Sequence, residues 1–363
     1  MPKMTADQYM QRCLELAALG LPRVMPNPAV GCVIVFDNRI IGEGYHQAFG
    51  GPHAEVNAIR SVRDRNQLEK ATVYVNLEPC NHHGKTPPCS DLLIKSKVKM
   101  VVIAISDPNP LVAGQGIEKL NKAGIEVIVG NLEVEASELN KRFLTFFQKK
   151  RPYIILKWAQ TQDGFIADEK GNSKWISNDE SRLLVHKWRS EEQAILVGTN
   201  TAKTDDPQLT ARDWPGKNPI RVVIDPDLAL PKKLHLFDYE VPTIVFNSKQ
   251  NSDEENLKYI QIDFGINMLE ELLNVLYEQK IQSVIIEGGR STLQKFIDKN
   301  LWDEARVFTG LKSFRKGIAA PKLKLKPITK QMIKADLLEI FRNSQPINND
   351  LTKHSVDQES PIK

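Results

Sequence analysis

The sequence predicts a two-domain α/β protein, and three observations carry that expectation. At 363 residues the chain is long enough for two hydrophobic cores of ordinary size. Short apolar runs that read as buried strands alternate with stretches of helical spacing. The alternation stops at the charged, proline-ended stretch Lys149-Lys150-Arg151-Pro152 and begins again at Tyr153. We therefore place the domains at 1–149 and 150–343, read the charges of the boundary as a solvated linker, and expect the polar stretch 344–363 to be a flexible tail.

In the first domain, Thr5 is expected to cap an amphipathic helix with Met10, Cys13, Leu14, Ala17 and Ala18 on one face, ending at Gly20. Pro26-Asn27-Pro28 fixes an extended turn ahead of the apolar run Ala29 to Phe36. Asp37-Asn38 then turns the chain into Ile40 to Tyr45, giving a hairpin. Strands over 72–77, 100–105 and 125–129 alternate with helices near 53–64, 89–97 and 114–123, which describes a layered α/β sandwich with a mixed sheet. Leu132 to Gln148 reads as one further helix with Leu132, Ala136, Leu139, Phe143 and Phe146 on its apolar face.

The second domain starts with a strand at Tyr153 to Ala159 and a turn at Asp163-Gly164. Strands follow at 194–198, 220–224, 243–246, 259–262, 283–286 and 305–309. Glu287-Gly288-Gly289 lies between the buried strand 283–286 and a helix opening at Arg290-Ser291-Thr292-Leu293. Glycines there let a ligand approach the backbone, and bare amides at a helix start suit a phosphate or pyrophosphate. A plain glycine turn would look the same.

The sharpest chemical signal is in the first domain. His53, Cys80 and Cys89 are the right residue types to hold Zn²⁺ through one imidazole and two thiolates with the fourth position open to water. Glu55, two residues beyond the histidine, can move protons without joining the metal. H-x-E followed by P-C-x-x-C is the signature of zinc deaminases. Here eight residues, not two, separate the cysteines. Gly50-Gly51-Pro52 puts His53 and Glu55 in the opening turn of a helix, and Pro87-Pro88 does the same for Cys89, whose thiolate the helix start should favour.

Two blander readings compete. A closed structural zinc site could recruit His82 or His83 as fourth ligand, but such a site has no use for a carboxylate beside its histidine. The cysteines could also be inert buried thiols, which is how we read Cys13 and Cys32. By themselves Asn27 would be a turn residue, and His46, Arg189 and Arg212 solvated surface groups.

The segments His53-Ala54-Glu55-Val56-Asn57-Ala58, Leu77-Glu78-Pro79-Cys80 through Pro87-Pro88-Cys89, and Asp107-Pro108-Asn109-Pro110-Leu111-Val112-Ala113-Gly114 resemble the bifunctional pyrimidine deaminase/reductases of riboflavin biosynthesis. The likeness extends to about Gly310. It implies a cytidine-deaminase-like three-layer α/β/α domain followed by a dihydrofolate-reductase-like α/β domain. The first would hold one Zn²⁺ and deaminate 2,5-diamino-6-(5-phosphoribosylamino)pyrimidin-4(3H)-one. The second would use NADPH to reduce the ribosyl chain of 5-amino-6-(5-phosphoribosylamino)uracil to ribityl.

The resemblance also implies site residues. Asn27, His46, His82 and Lys85 would contact the deaminase substrate, and Glu55 would be the catalytic acid and base. Ala159, Trp175, Thr201, Asp205 and the run Gly289, Arg290, Ser291, Thr292, Leu293, Gln294 and Lys295 would bind NADPH. Ser173, Arg189, Leu209, Arg212 and Glu287 would hold the phosphorylated sugar. After Gly310 the chain departs from the family pattern with Leu311-Lys312-Ser313-Phe314-Arg315-Lys316-Gly317.

Charge and cysteine usage exclude several classes. A net charge of +4 without a polybasic block argues against a nucleic-acid groove, and a deaminase acting on RNA would show C-x-x-C spacing and a basic aromatic groove. A zinc-stabilised binding protein without catalysis would bind no nicotinamide. Four cysteines, two of them metal ligands, leave no disulfide framework. The polar start from Asp7 to Glu15 is unlike a signal peptide, and no long apolar run suits a bilayer. A cytoplasmic homo-oligomer without membrane or nucleic-acid partners is expected.

Overall fold

Thr5 and Gln8 exchange the two hydrogen bonds of a capping box ahead of α1 (Ala6–Ala18). Its buried face is Tyr9, Met10, Cys13, Leu14, Leu16 and Ala17; Ala18 is exposed and ends the helix. This computed structural model describes residues 4–81, 87–110, 112–173 and 175–343. The expected tail at 344–363, together with His82 and Lys85, lies outside the described residues.

Next, β1 (Gly31–Phe36) and β2 (Arg39–Tyr45) pair antiparallel through Asp37 and Asn38, whose φ angles of 47° and 58° give the expected hairpin. The unit continues through α2 (Ala54–Ser61), β3 (Thr72–Leu77), α3 (Cys89–Lys95), β4 (Met100–Ile105), α4 (Gln115–Lys122) and β5 (Glu126–Val129). The five strands form a mixed sheet in the order β2-β1-β3-β4-β5. Buried residues of α2, α3 and α4 pack on one face. Those of α1 pack on the other, with the next two helices, completing three layers.

The single helix expected over 132–148 is two: α5 (Glu133–Leu139) and α6 (Lys141–Lys149), separated by Asn140. Asn140 is buried, and its side chain is committed elsewhere. Its Oδ1 accepts from the Ala29 N–H at 2.8 Å, and its Nδ2 donates to the Ala29 carbonyl at 3.0 Å. A side-chain amide that satisfies a distant backbone competes with helix continuity, and periodicity alone cannot reveal it.

The second unit runs through β6 (Tyr153–Thr161), β7 (Phe165–Ala167), α7 (Asp179–Glu191), β8 (Ala194–Gly198), α8 (Thr199–Asp205), β9 (Ile220–Ile224), β10 (Thr243–Asn247), β11 (Ser252–Glu254) and β12 (Leu257–Gln261). It ends with α9 (Met268–Glu278), β13 (Ser283–Ile286), α10 (Arg290–Asp298), β14 (Glu304–Gly310), β15 (Ile318–Ala319), β16 (Thr329–Ile333) and β17 (Asp336–Arg342). Ten strands make one sheet, β11-β12-β10-β9-β8-β13-β6-β14-β17-β16. It is parallel from β12 to β14. Its apolar core packs α9 and α10 on one face and α7 and α8 on the other. The three strands after Gly310 have no counterpart in the sequence reading; β17 pairs antiparallel with β14 along its length.

The charges at the boundary are not a solvated linker. Lys149 Nζ lies 3.0 Å and Arg151 Nη1 2.6 Å from the buried carboxylate of Asp303. Along α6, Lys141 pairs with buried Glu304 at 2.8 Å, and Arg142 forms a two-pronged pair with buried Glu192. Arg306 approaches Glu304 and Glu192 and stacks over Trp188. The two units are thus docked through buried, paired charge, which fixes orientation more than it adds stability.

Candidate active site

At the metal-type cluster, His53 is the N-cap of α2 and Glu55 lies in its first turn, while Cys89 is the first residue of α3. His53 Nδ1 is 3.3 Å from Cys89 Sγ and 3.5 Å from Cys80 Sγ, and the three ligand atoms lie within 4.8 Å of one another. Ligand bonds of roughly 2.0–2.3 Å set at tetrahedral angles would place the atoms about 3.5 Å apart, so the trio fits zinc.

The thiols differ from expectation in one respect. The amide at the start of α3, that of Cys89, donates to Cys80 Sγ at 3.3 Å. The Cys89 thiol, and then His53, also favour the Cys80 thiolate and hold it below the ordinary thiol range. Cys89, beside that thiolate and desolvated, is pushed up. The helix start therefore favours the sulfur across from it rather than its own.

Glu55 is buried, which pushes its carboxyl up, as does the neighbouring Cys80 charge. A carboxyl poised above its ordinary range suits proton transfer near neutrality. His46 Nδ1 donates to the Pro52 carbonyl at 3.0 Å, so Nε2 accepts from the Asn27 amide at 3.1 Å. Burial lowers His46, consistent with that neutral tautomer. Asn27 itself rides on a turn fixed by the Ala29–Asn140 exchange described above. Asn27, His46, His53, Glu55 and Cys80 face one cleft of about 430 Å³.

Glu78 was not singled out in the sequence, yet it organises the cleft's other wall. Its two buried carboxylate oxygens accept four backbone N–H bonds, from Asp107 and Gly114 at 3.1 Å, Gly116 at 3.0 Å and Ile117 at 3.3 Å. That holds the 107–117 segment against the site, and a side chain at Gly116 would meet the Pro79 carbonyl at 2.1 Å. Asp107 lines the cleft, and burial, opposed by the Asn109 amide, pushes it up to about 7.

In the second unit a pair of adjoining clefts opens at the carboxyl ends of β8 and β13, the usual ligand side of a parallel sheet. Gly198 and Gly288 both sit against Thr292, and an added Cβ would meet that side chain at 2.6 Å and 2.8 Å. Gly289 is the N-cap residue of α10, and an added Cβ there would meet the Thr201 hydroxyl at 3.0 Å. Gly289, Arg290, Ser291, Thr292, Gln294 and Lys295 line one cleft; Ala159, Trp175, Arg189, Leu209, Arg212 and Glu287 line the other. Ser173, Thr201, Asp205 and Gly289 itself lie in both. Leu293, which lines neither cleft, packs its side chain into the core on one face of the sheet, and Leu209 packs into the core on the other while also lining its cleft.

Arg189 is no surface charge. Its Nε and Nη2 grip Glu287 at 3.1 Å and 2.9 Å, and Nη1 donates to the Thr210 carbonyl at 3.1 Å. One N–H remains on each terminal nitrogen. Burial would raise Glu287, but Arg189 and then Lys157, whose Nζ is 3.7 Å away, hold it down to about 2. Arg212 is half-exposed beside Asp213, as its sequence context suggested. Lys157 was missed because a lone lysine within a strand pattern carries no signal.

Residues 3–105 match the cytidine and deoxycytidylate deaminase zinc-binding region, and residues 152–311 match the RibD C-terminal domain. Fold, metal-type cluster and these matches agree on the class: a zinc-binding deaminase domain joined in one chain to a reductase domain. The chain is 44% identical over 330 residues to the riboflavin biosynthesis protein RibD of Aquifex aeolicus, covering 89% of this chain and 92% of that one. It superposes with a TM-score of 0.83 on the diaminohydroxyphosphoribosylaminopyrimidine deaminase/5-amino-6-(5-phosphoribosylamino)uracil reductase of Thermotoga maritima, at 42% identity over 93% of this chain and 98% of that one. With Acinetobacter baumannii RibD the TM-score is 0.84 at 35% identity, over 93% and 99% of the two chains. The chain belongs to the RibD family, the bifunctional deaminases and reductases of riboflavin biosynthesis. Among the described residues no helix is long and apolar enough to cross a membrane.

Proposed function

We propose that the chain hydrolyses the amino group from 2,5-diamino-6-(5-phosphoribosylamino)pyrimidin-4(3H)-one at the His53, Cys80 and Cys89 cleft. It then reduces the ribosyl chain of 5-amino-6-(5-phosphoribosylamino)uracil to ribityl with NADPH at the β8/β13 clefts. The observation that carries the first step is a buried carboxyl, Glu55, within two residues of a three-ligand cluster that has the spacing zinc requires.

Zinc, when bound, supplies an activated water. Glu55 takes a proton from the attacking water and gives one to the leaving nitrogen, which departs as ammonia. Asn27 and His46 orient the ring through their mutual hydrogen bond, with His82 and Lys85 as further substrate contacts. In the reductase NADPH supplies the hydride. Gly289 to Lys295 cradle its phosphates, and Ala159, Trp175, Thr201 and Asp205 complete its site. Ser173, Arg189, Leu209, Arg212 and Glu287 hold the phosphorylated sugar, so that positioning accounts for much of the rate. We place the division between the domains at 149/150 and the end of the reductase at 343. The protein is proposed to act in the cytoplasm and to self-associate, with exposed Leu325, Ile328 and Met332 around edge strand β16 as apolar contact surface.

Glu55→Gln tests the reading in a coupled assay on the diaminopyrimidine phosphate. The variant keeps one zinc per chain and loses ammonia release by a factor of roughly 10²–10⁴, while reducing already deaminated substrate normally. Loss of both activities together would sink it.

A further inference from the structure

One wall of the deaminase cleft does not come from the deaminase domain. The turn between α9 and β13, part of the reductase domain, brings Lys280 and Gln282 to its lining. Gln282 is buried, and its Nε2 donates to the Pro26 carbonyl at 2.7 Å. Pro26 precedes Asn27, so the reductase domain braces the turn that carries a candidate substrate contact. Tyr277 extends the same wall: its ring lies 4.5 Å from that of Phe146, which packs on Phe147, and both phenylalanines line the cleft.

Lys280 sits above this aromatic shelf, with its ammonium 5.7 Å from the Tyr277 ring centroid. Its backbone has φ +62°, just past the C-cap of α9, a position that glycine fills without steric penalty. Charge makes the lysine notable. The other ionisable groups lining the cleft are the carboxyls Glu55, Glu78 and Asp107, the imidazoles His46 and His53, and Cys80. Among the described lining residues Lys280 is the one lysine or arginine, and it stands exposed at the rim. A phosphorylated substrate whose ring lies at Glu55 must send its dianionic end outward, away from three carboxyls.

We propose that Lys280 binds the phosphate of the deaminase substrate, so that the reductase domain supplies a specificity residue to the other domain's site. Gln282 is a positioning residue for the same site, acting through Pro26. The assignment rests on the reading of this cleft as the deaminase site.

The test is steady-state ammonia release by the full-length, zinc-loaded protein and its Lys280→Gly and Lys280→Arg variants. Lys280→Gly removes the cation while easing the backbone, so its melting temperature should equal or exceed that of the wild type. Its KM for the phosphorylated aminopyrimidine should rise about tenfold, the loss of one charge-assisted contact, with kcat within about twofold of wild type. The KM difference should shrink as salt is added, Lys280→Arg should restore most of the affinity, and reduction of pre-deaminated substrate should be unaffected in both variants. An unchanged KM in Lys280→Gly, or a loss that is salt-independent and not rescued by arginine, would overturn the assignment. Failure of the wild type itself to release ammonia would instead sink the reading of the cleft, and this assignment with it.

Discussion

Replacing Glu78 by glutamine tests whether the deaminase cleft is organised from within. The carboxylate accepts four backbone N–H bonds, two on each oxygen. Glutamine keeps the shape but turns one acceptor into an NH₂ facing two N–H donors. Hydrogen bonds to a charged group contribute about 1.5 kcal/mol or more each, so two lost bonds amount to about 3 kcal/mol, with a further cost if the donors stay buried. For a domain of this size 1 kcal/mol shifts the midpoint by roughly 2–4 °C or somewhat more, so the deaminase transition should fall by about 6–12 °C. Scanning calorimetry reads that shift, and hydrogen exchange should show lost protection at the amides of Asp107, Gly114, Gly116 and Ile117. Deamination should weaken too, because Asp107 lines the cleft. A variant within 1 kcal/mol of wild type, with those amides still protected, would refute the reasoning.

Three further outcomes follow from the same accounting. Asn140→Ala leaves the buried Ala29 N–H without its acceptor, while the carbonyl keeps the Asn76 amide at 3.0 Å; stability should drop by about 1–3 kcal/mol in a denaturant melt, and deamination should fall while reduction holds. Arg189→Lys keeps the charge but loses the fork on Glu287, so KM for the reductase substrate should rise by about tenfold or more with ammonia release unchanged; equal kinetics would contradict the pairing. Glu192, Asp303 and Glu304 are all held below the ordinary carboxylate range; burial opposes that shift, and their cationic partners override it. A depressed carboxyl stabilises above its unfolded value and loses that contribution as pH falls through its folded value. Thermal midpoints should therefore stay level above about pH 5 and decline below about pH 4, and Glu192→Gln should flatten that decline; parallel acid profiles would argue against it.

Much of the fold was legible because it is local. Capping at Thr5, the Asp37-Asn38 hairpin and the strands 194–198, 220–224 and 283–286 follow from residue type and period, and the structure has each where expected. The metal-type cluster was legible because its chemistry needs rare residues at fixed offsets. What escaped was non-local. Nothing near Asn140 announces that its amide is claimed by Ala29, so the helix break could not be seen. Lys149 and Arg151 look like a linker until Asp303, about 150 positions later, is brought beside them. Glu78 reads as part of a motif, and its task depends on a loop that begins at Asp107. The strands after Gly310 lie in a stretch whose polar, exposed β16 gives no alternation to read.

The charged seam along α6 has a consequence for recombination. A chimera spliced at 149/150 from two relatives would separate Lys141 and Arg142 from the acidic groups that receive them, and could strand ions in a dry contact. A crossover upstream of Asn140 would carry the whole seam with one parent, but would then split Asn140 from Ala29. Neither junction is neutral, so these two catalysts travel as one inherited block rather than as interchangeable cassettes.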